Sequence, residues 1–159
     1  MKNSRSIDDL VPSVAVKARA AMIAWATDPW LIANGLTVSI ICTLRDNDAQ
    51  ADLYAQGRTK PGKIVTNARP GSSWHNFGCA FDVLPLRHGK PVWGTSGNGI
   101  DDNPDDDATD DLEVWQTVGK LGVRAGLEWA GNWKTFKEFA HFQFTGGLTL
   151  DQARKGARP

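Results

Sequence analysis

The stretch "SSWHNFGCAFDV", Ser72 to Val83, decides how this chain folds and raises its first functional question. Its second half predicts a buried β-strand over residues 78–84, because apolar side chains continue on both faces. Asp82 interrupts this apolar run, and burying a carboxylate there is costly unless it is paired or binds a metal. His75 stands at the entrance of the strand as a candidate partner. The two faces of the strand carry Ala80, Asp82 and Leu84 on one side and Cys79, Phe81 and Val83 on the other.

A second stretch near the end of the chain, "EFAHFQF" (138–144), supplies another candidate partner. It places His141 among phenylalanines on a short predicted strand, with Glu138 at the entrance of that strand. Two histidines and one aspartate form a three-ligand set with an open fourth position, which is typical of catalytic zinc. Zinc bound in this way activates water, and Glu138 is suited to accept the proton. From spacing alone, hydrogen-bonded structural roles for these side chains stay the alternative.

The periodic segments elsewhere in the chain predict an α+β fold, with a small antiparallel sheet and flanking helices. In the long N-terminal helix the predicted buried face carries Val14, Ala18, Met22 and Trp25. Pro85 is expected to close the strand that contains Asp82. The predicted helices span 11–28, 46–57, 112–126 and 149–156, and the predicted strands span 36–43, 78–84, 127–131 and 138–144.

Length and composition predict one globular domain over residues 1–159, since the chain is 41% hydrophobic and has no internal repeat or linker. The sequence contains no run of about eighteen apolar residues that would span a membrane, so we expect no membrane insertion. The N-terminus lacks the pattern of a secretory signal, and we therefore expect the protein to be made and folded in a cytoplasm. We expect a monomer with no nucleic-acid partner.

Charge is unevenly distributed, although the net charge is zero. Seven of the eighteen acidic residues lie in the run 101–111, and without them eighteen bases face eleven acids, a charge of +7. The run could bind calcium, but it departs from the EF-hand pattern, with Asp106 in place of glycine and Leu112 in place of glutamate. A solvated loop is the alternative to calcium modulation by this segment.

The quoted motifs resemble those of the zinc D-Ala-D-Ala carboxypeptidase and L-alanyl-D-glutamate endopeptidase superfamily. The first stretch fits the pattern Ser-x-His-x-x-Gly-x-Ala-x-Asp, and "EFAHFQ" fits the pattern Glu-x-x-His. The block 43–68 is similar to the family's upstream segment and places an arginine and a glutamine at Arg45 and Gln50. The segment 126–143 is similar to one found in phage endolysins. The resemblance covers residues 36–145.

This resemblance implies roles for individual side chains. His75, Asp82 and His141 would bind one zinc ion, and Glu138 would be the catalytic base. Arg45 would stabilise the negative charge that develops on the scissile carbonyl oxygen. Three further residues are candidates for substrate binding: two come from the resemblance and have an alternative role, and Trp133 comes from its position near Glu138. Ser73 would bind substrate or hold the turn before His75; Gln50 would support the site or make a helix–strand contact; Trp133 would line a substrate groove.

Two positions depart from the family pattern. Ala140 stands directly before His141, where relatives often have proline. Asp46 follows Arg45, where many relatives have serine. Asp46 is expected either to pair with Arg45 and weaken its charge, or to cap the following helix, and we favour the cap.

The activity implied by the resemblance is hydrolysis of the L-alanyl-D-glutamate bond in the stem peptide of bacterial peptidoglycan. The expected setting is a bacteriophage endolysin, which accumulates in the host cytoplasm and reaches the cell wall through a holin-made lesion to lyse the host cell. No separate cell-wall-binding domain is expected. Two alternatives stay open: a D-Ala-D-Ala carboxypeptidase, and a non-catalytic zinc-bearing wall-binding module. Glu138 and Arg45 argue against the module, because a protein that only binds needs no base.

Other patterns carry less weight. Cys42 and Cys79 are expected to be buried reduced thiols, and their spacing excludes a cysteine-based zinc site. A serine-hydrolase trio of Ser73, His75 and Asp82 is disfavoured because no nucleophile-elbow glycine pattern surrounds the serine. His88 is expected at the surface.

Overall fold

The alternating segments of the sequence form the two longest strands of an antiparallel sheet, and helices flank it, as predicted. The computed structural model describes residues 1–95 and 111–159. The helices are α1 (Pro12–Thr27), α2 (Pro29–Ala33), α3 (Asn47–Ala55), α4 (Asp111–Arg124) and α5 (Leu150–Arg154). The strands are β1 (Leu36–Cys42), β2 (Ala80–Arg87), β3 (Lys90–Pro91), β4 (Glu128–Trp129) and β5 (His141–Gln143). Three 3-10 turns lie at Ile7–Asp9, Trp74–Phe77 and Ala130–Asn132.

The register of the sheet brings distant polar residues into one row. The strand order is β1-β2-β5-β4, with β3 paired to the far end of β2. Cys42 on β1 lies opposite Asp82 on β2, after a bulge in β1. Asp82 in turn lies opposite His141 on β5. Because directly opposed side chains in an antiparallel sheet lie on the same face, these three side chains meet on one side of the sheet.

Pro85 lies inside β2 and does not close it, so that expectation was wrong. The strand continues to Arg87. Hydrogen bonds at neighbouring positions explain why the proline ring is tolerated inside the strand. The amide of Val83 donates to the carbonyl of Ala140, and the carbonyl of Pro85 accepts from the amide of Val92 at 3.0 Å. Odd-numbered residues of β2 therefore direct their backbone groups away from β1. The missing amide of Pro85 thus costs no hydrogen bond to β1.

The buried face of α1 also differs from the prediction at one position. Ala21 is fully buried there, whereas Met22 is 36% exposed. At 100° per residue, position 21 returns to within about 20° of Val14, while position 22 lies about 80° away. Trp25 completes this face, and its indole nitrogen donates to the carbonyl of Val118 on α4 at 3.0 Å. The core of the domain therefore lies between these two helices and the sheet.

Helix α3 begins at a side-chain cap. Asp46 accepts a hydrogen bond from the amide of Ala49 at 2.8 Å, which is the capping role favoured from the sequence. The start of the chain runs alongside, since the amide of Ser4 donates to Leu44 at 2.8 Å. The backbone on both sides of Arg45 is therefore fixed. No helix within residues 1–95 and 111–159 is long and apolar enough to cross a membrane.

Candidate active site

His75 reaches the polar row of the sheet from the 3-10 turn Trp74–Phe77, which leads into β2. Ser73 caps this turn, and its hydroxyl accepts from the amide of His75 at 3.4 Å. Gly78 ends the turn in the left-handed conformation, with φ of 67°. A side chain at position 78 would also lie only 3.0 Å from the carbonyl oxygen of Asp9. The glycine of the motif therefore lets the chain turn sharply from His75 into the strand that carries Asp82.

Three potential ligand atoms converge at equal distances. The Nε2 atom of His75 lies 3.2 Å from Oδ1 of Asp82 and 3.2 Å from Nδ1 of His141. The same Nδ1 atom lies 3.2 Å from the same carboxylate oxygen. Ligands about 2.0–2.2 Å from a tetrahedral zinc ion are about 3.3–3.6 Å apart, so these three atoms, 3.2 Å apart, lie close to the spacing that one such ion requires.

Hydrogen bonds on the far side of each imidazole fix the tautomers. Nδ1 of His75 donates to the carbonyl of Thr43 at 2.8 Å, which leaves a lone pair on Nε2. Nε2 of His141 donates to Oε1 of Gln143 at 3.1 Å, which leaves a lone pair on Nδ1. Both lone pairs therefore face the Asp82 carboxylate, and this set of donors requires a cation between them.

Gln143 and its support were missed in the sequence. The Gln143 side-chain amide donates to a carboxylate oxygen of Glu128 at 2.9 Å, and this orients its carbonyl oxygen toward His141. Gln143 is 6% exposed. The signal was present in "HFQ", because residues two apart on a strand lie on the same face.

Electrostatics in the cluster follow from its burial and its charges. Burial by itself disfavours the imidazolium, but the adjacent Asp82 carboxylate outweighs this effect and raises the pKa of His75 to about 10. Burial also opposes the ionised form of Asp82, yet His75 and His141 hold the pKa of Asp82 well below its usual range. Without a metal, a proton shared within this cluster takes the place of the cation.

Cys42 also lies beside this cluster, although its spacing from Cys79 had excluded a cysteine-based zinc site. Its thiol, with His75 and Asp82, forms a group whose ligand atoms lie within 4.8 Å of one another. The sulfur, however, lies 3.7 Å from Nδ1 of His75, the nitrogen that already bonds to Thr43. The set of His75, Asp82 and His141 fits a metal better, because it uses the free nitrogen of each ring.

Arg45 lies beside the cluster with its side chain 12% exposed. One amino group lies 3.6 Å from Oδ2 of Asp82 and also contacts the Cys42 sulfur at 3.1 Å. The other donates to Oε1 of Gln50 at 3.1 Å. The guanidinium is therefore held from three sides next to the potential metal ligands.

Gln50 lies behind Arg45 and does not line the cleft, which fits the supporting role that the sequence offered for it and not its grouping with the substrate-binding candidates. It is fully buried. Its side-chain nitrogen donates to the carbonyl of Ala68 at 2.8 Å, while its oxygen accepts from Arg45. With both ends of its amide engaged, Gln50 contributes to the site by holding Arg45.

A cleft of about 840 Å³ opens over the cluster. Ser73 and Trp133 line it, and the Trp133 ring centroid lies 5.8 Å from that of His141. Glu138 lines the same cleft, and its carbonyl accepts from the amide of His141 at 3.2 Å. The sequence-predicted residues that line this cleft are Arg45, Ser73, His75, Asp82, Trp133, Glu138 and His141.

The predicted calcium segment, 101–111, lies outside the described residues except for Asp111. Asp111 begins α4 and forms an ion pair with Arg87 at 3.7 Å. Calcium modulation stays a prediction. His88 is exposed, as expected.

The chain is similar in sequence to a known family and to a known relative. Residues 66–144 match the peptidase M15 family described as D-alanyl-D-alanine carboxypeptidase. The chain is 36% identical over 136 residues to the peptidoglycan L-alanyl-D-glutamate endopeptidase CwlK of Bacillus subtilis (strain 168), covering 85% of this chain and 73% of that relative.

Two solved structures share the fold. The L-Ala D-Glu endopeptidase ChiX of Serratia marcescens has a TM-score of 0.51 at 18% identity, over 95% of this chain and 91% of that one. A variant of the vancomycin resistance D,D-pentapeptidase VanY in complex with Zn(II) has a TM-score of 0.52 at 14% identity, over 98% of this chain and 83% of that one.

An α+β fold with an antiparallel sheet and a His, Asp and His cluster in a cleft defines a zinc peptidase. The chain belongs to the peptidase M15 family, in agreement with the resemblance of its motifs, and it is a zinc metallopeptidase.

Proposed function

We propose that this chain is a peptidoglycan hydrolase that cuts the L-alanyl-D-glutamate bond of the stem peptide. The observation that carries the proposal is the 36% identity to CwlK, a peptidoglycan L-alanyl-D-glutamate endopeptidase, over 85% of this chain. The cleft supports it, because the potential zinc ligands, a carboxylate at Glu138 and a fixed cation at Arg45 all line one surface. Such a set suits hydrolysis of an amide.

The zinc ion would be held by His75, Asp82 and His141, and when bound it supplies a Lewis acid that polarises the scissile carbonyl. Glu138 accepts a proton from the attacking water and then returns it to the nitrogen of the leaving amine. The peptide bond breaks between carbonyl carbon and nitrogen, and the water supplies the new carboxyl oxygen.

Arg45 stabilises the negative charge that develops on the carbonyl oxygen. Its side chain is only 12% exposed, so its charge is weakly screened by solvent. Gln50 and the Cys42 thiol hold the guanidinium at 3.1 Å each, so little reorganisation is needed when charge develops. This preorganisation favours the transition state over the ground state.

We also propose that the enzyme acts as a phage-type endolysin that accumulates in the cytoplasm and reaches the wall after the membrane is breached. The similarity of segment 126–143 to phage endolysins supports this role. The test is expression in a bacterial host with and without a co-expressed pore-forming holin. Lysis that depends on both proteins supports the role, and lysis by the enzyme alone contradicts it.

The bond specificity is tested by digesting purified cell-wall sacculi and labelling the new amino groups. New N-terminal D-glutamate is the expected product. Release of free D-alanine instead would support the D-Ala-D-Ala carboxypeptidase alternative. Stoichiometric zinc with neither product, although the protein sediments with sacculi, would support a non-catalytic binding module.

A further inference from the structure

The exposed aromatic side chains of this protein are all found in one place. Of the fourteen Trp, Tyr and Phe residues, none falls in the segment 96–110. Among the described residues, three aromatic side chains are exposed: Trp93 at 63%, Trp133 at 37% and Phe136 at 63%. All three line the cleft above the candidate zinc site. Exposed aromatic surface that is concentrated in a cleft marks a ligand-binding site.

Trp133 lies close to the potential zinc ligands. Its ring centroid lies 5.8 Å from that of His141, one of the potential zinc ligands. A ligand that contacts the Trp133 ring therefore lies within about two residues of a scissile bond at the metal, since an extended residue spans about 3.3–3.6 Å.

Phe136 is held in an unfavourable backbone conformation. Its φ angle is 54°, in the left-handed region that bulky side chains rarely adopt. Because its ring is 63% exposed, burial in the core does not compensate for this conformation. Strain of this kind at an exposed position of a cleft indicates a functional constraint on where the ring points.

The segment 133–138 that carries two of these rings is anchored at both ends. The carbonyl of Ala130 accepts hydrogen bonds from the amide of Trp133 at 3.2 Å and from the amide of Glu138 at 3.4 Å. The same short loop therefore presents the aromatic rings and places the candidate catalytic base. Rings on an anchored loop can bind a ligand in a defined position relative to Glu138.

We propose that Trp93, Trp133 and Phe136 form a platform that binds the amino-sugar strand to which the stem peptide is attached. The proposal rests on the proposed function and deepens it. In peptidoglycan, the L-alanine of the stem peptide is linked directly to a sugar. A bond cut after this L-alanine lies one residue from the sugar, so the sugar enters the cleft at the distance of the Trp133 ring.

The chemistry of the rings suits a sugar. The flat faces of a pyranose ring carry C–H groups with partial positive charge, and these pack against the negative faces of aromatic rings. The sugar strand itself carries no charge at these faces, so uncharged aromatic side chains match it better than charged ones would. The enzyme is therefore expected to prefer stem peptides that are still attached to their sugar.

The test compares two substrates with the same tetrapeptide, one free and one linked to its disaccharide. Wild type is expected to have a higher kcat/KM on the linked substrate. Phe136→Gly and Trp93→Ala are each expected to lower the ratio of linked to free kcat/KM about three- to tenfold. Phe136→Gly also relieves the left-handed strain, so its melting temperature should equal or exceed that of wild type and misfolding cannot explain the loss.

Controls separate the platform from other effects. Ile23→Ala removes an apolar side chain that is 65% exposed on α1, outside the cleft, and should leave the ratio unchanged. Phe136→Tyr retains a ring and should retain most of the preference. Equal activity of wild type on both substrates, or an equal loss on both in the variants, would overturn the proposal.

A binding measurement keeps the platform testable if neither substrate is cleaved, which would count against the proposed function alone. Isothermal titration with tetra-N-acetylchitotetraose, a soluble amino-sugar oligomer, should show binding to wild type. The binding should be weaker for Phe136→Gly and unchanged for Ile23→Ala. No binding to wild type, or equal binding to all three proteins, overturns the sugar platform.

Discussion

His75 and His141 are 66 positions apart in the chain, yet Nε2 of the first lies 3.2 Å from Nδ1 of the second. Each ring donates its other N–H to a fixed acceptor, the carbonyl of Thr43 or the side chain of Gln143. Two lone pairs and the Asp82 carboxylate therefore face one point. The fold prepares a cation site before any cation binds.

Zinc binding should depend on His141 and not on Cys42. His141→Ala is expected to lower zinc affinity at least about 100-fold, because it removes one of three converging donors. Cys42→Ser keeps a small polar side chain beside Arg45 and should retain zinc. Metal content after dialysis, with affinity from competition against a chromogenic chelator, measures both. Loss of zinc in Cys42→Ser equal to that in His141→Ala would instead indicate a ligand set that includes the thiol.

Gln50 should act through Arg45. Gln50→Leu has nearly the same shape but leaves an Arg45 amino group and the Ala68 carbonyl without this partner, which costs about 1–3 kcal/mol of unfolding free energy. We expect kcat to fall about tenfold, since the guanidinium is no longer fixed where charge develops. Gln50→Glu keeps the acceptor for Arg45 and should restore most of kcat. Steady-state kinetics and urea unfolding measure these effects.

The matched control for this pair is Gln116→Leu, which changes an exposed glutamine on α4. It should leave kcat and stability near the wild-type values. If Gln50→Leu lowers stability but leaves kcat unchanged, Gln50 is only a packing residue.

The metal-free protein should have a stability that depends on pH through the cluster. The pKa of His75 is raised from 6.5 to about 10, so its contribution is complete below pH 6.5 and is lost as the pH rises toward 10. The pKa of Asp82 is lowered from 3.8, so its contribution is complete above pH 3.8 and is lost as the pH falls below it. In the presence of chelator, melting temperatures should therefore be highest between pH 3.8 and pH 6.5. Asp82→Asn should flatten both slopes, and an unchanged profile would contradict the pairing.

Close packing of α4 against β5 should make Gly122 sensitive to substitution. A Cβ at this position would lie 2.3 Å from Cε1 of Phe142. The Phe142 ring cannot move away, because it is fully buried and stacks on Phe81 at 5.7 Å between centroids. Alanine improves helix propensity by about 1 kcal/mol, but overpacking costs about 1–3 kcal/mol.

Gly122→Ala is therefore expected to lower the unfolding free energy by up to about 2 kcal/mol, measured by urea denaturation. Val123→Ala, which shortens a side chain that is 42% exposed on the same helix, should change it by less than about 0.5 kcal/mol. A Gly122→Ala protein more stable than wild type by about 1 kcal/mol, the full gain in helix propensity, would show that Phe142 has room to move.

Sequence reasoning reached the fold class and the main strands because alternation and periodicity are local signals. Its errors arose where a neighbour elsewhere in the chain decides the outcome. Whether Pro85 ends a strand depends on which side of β2 its backbone groups point, which only the pairing with β1 reveals. The burial of Ala21 in place of Met22 depends on the phase of α1 relative to α4.

The same limit applies to the site. The motif spacing pointed to His75, Asp82 and His141, which the structure brings together. It gave no indication that Cys42 lies in the same row, because the register of β1 against β2 includes a bulge. Nor did it decide whether Gln50 supports the site or only makes a helix–strand contact, since both roles place a glutamine near Arg45. Side-chain hydrogen bonds, such as the one to the Ala68 carbonyl, resolve that question only in three dimensions.

Glu138→Gln removes the carboxylate that we propose as the base of this cell-wall zinc peptidase, while it keeps the size of the side chain. The measurement is the rate of N-terminal D-glutamate release from sacculi, together with zinc content, for this variant, for wild type and for the exposed-carboxylate control Glu113→Gln. We predict unchanged zinc in all three proteins and a rate lowered about 10²–10⁴-fold in Glu138→Gln alone. A Glu138→Gln protein that holds zinc and releases D-glutamate at the wild-type rate would show that Glu138 is not the base.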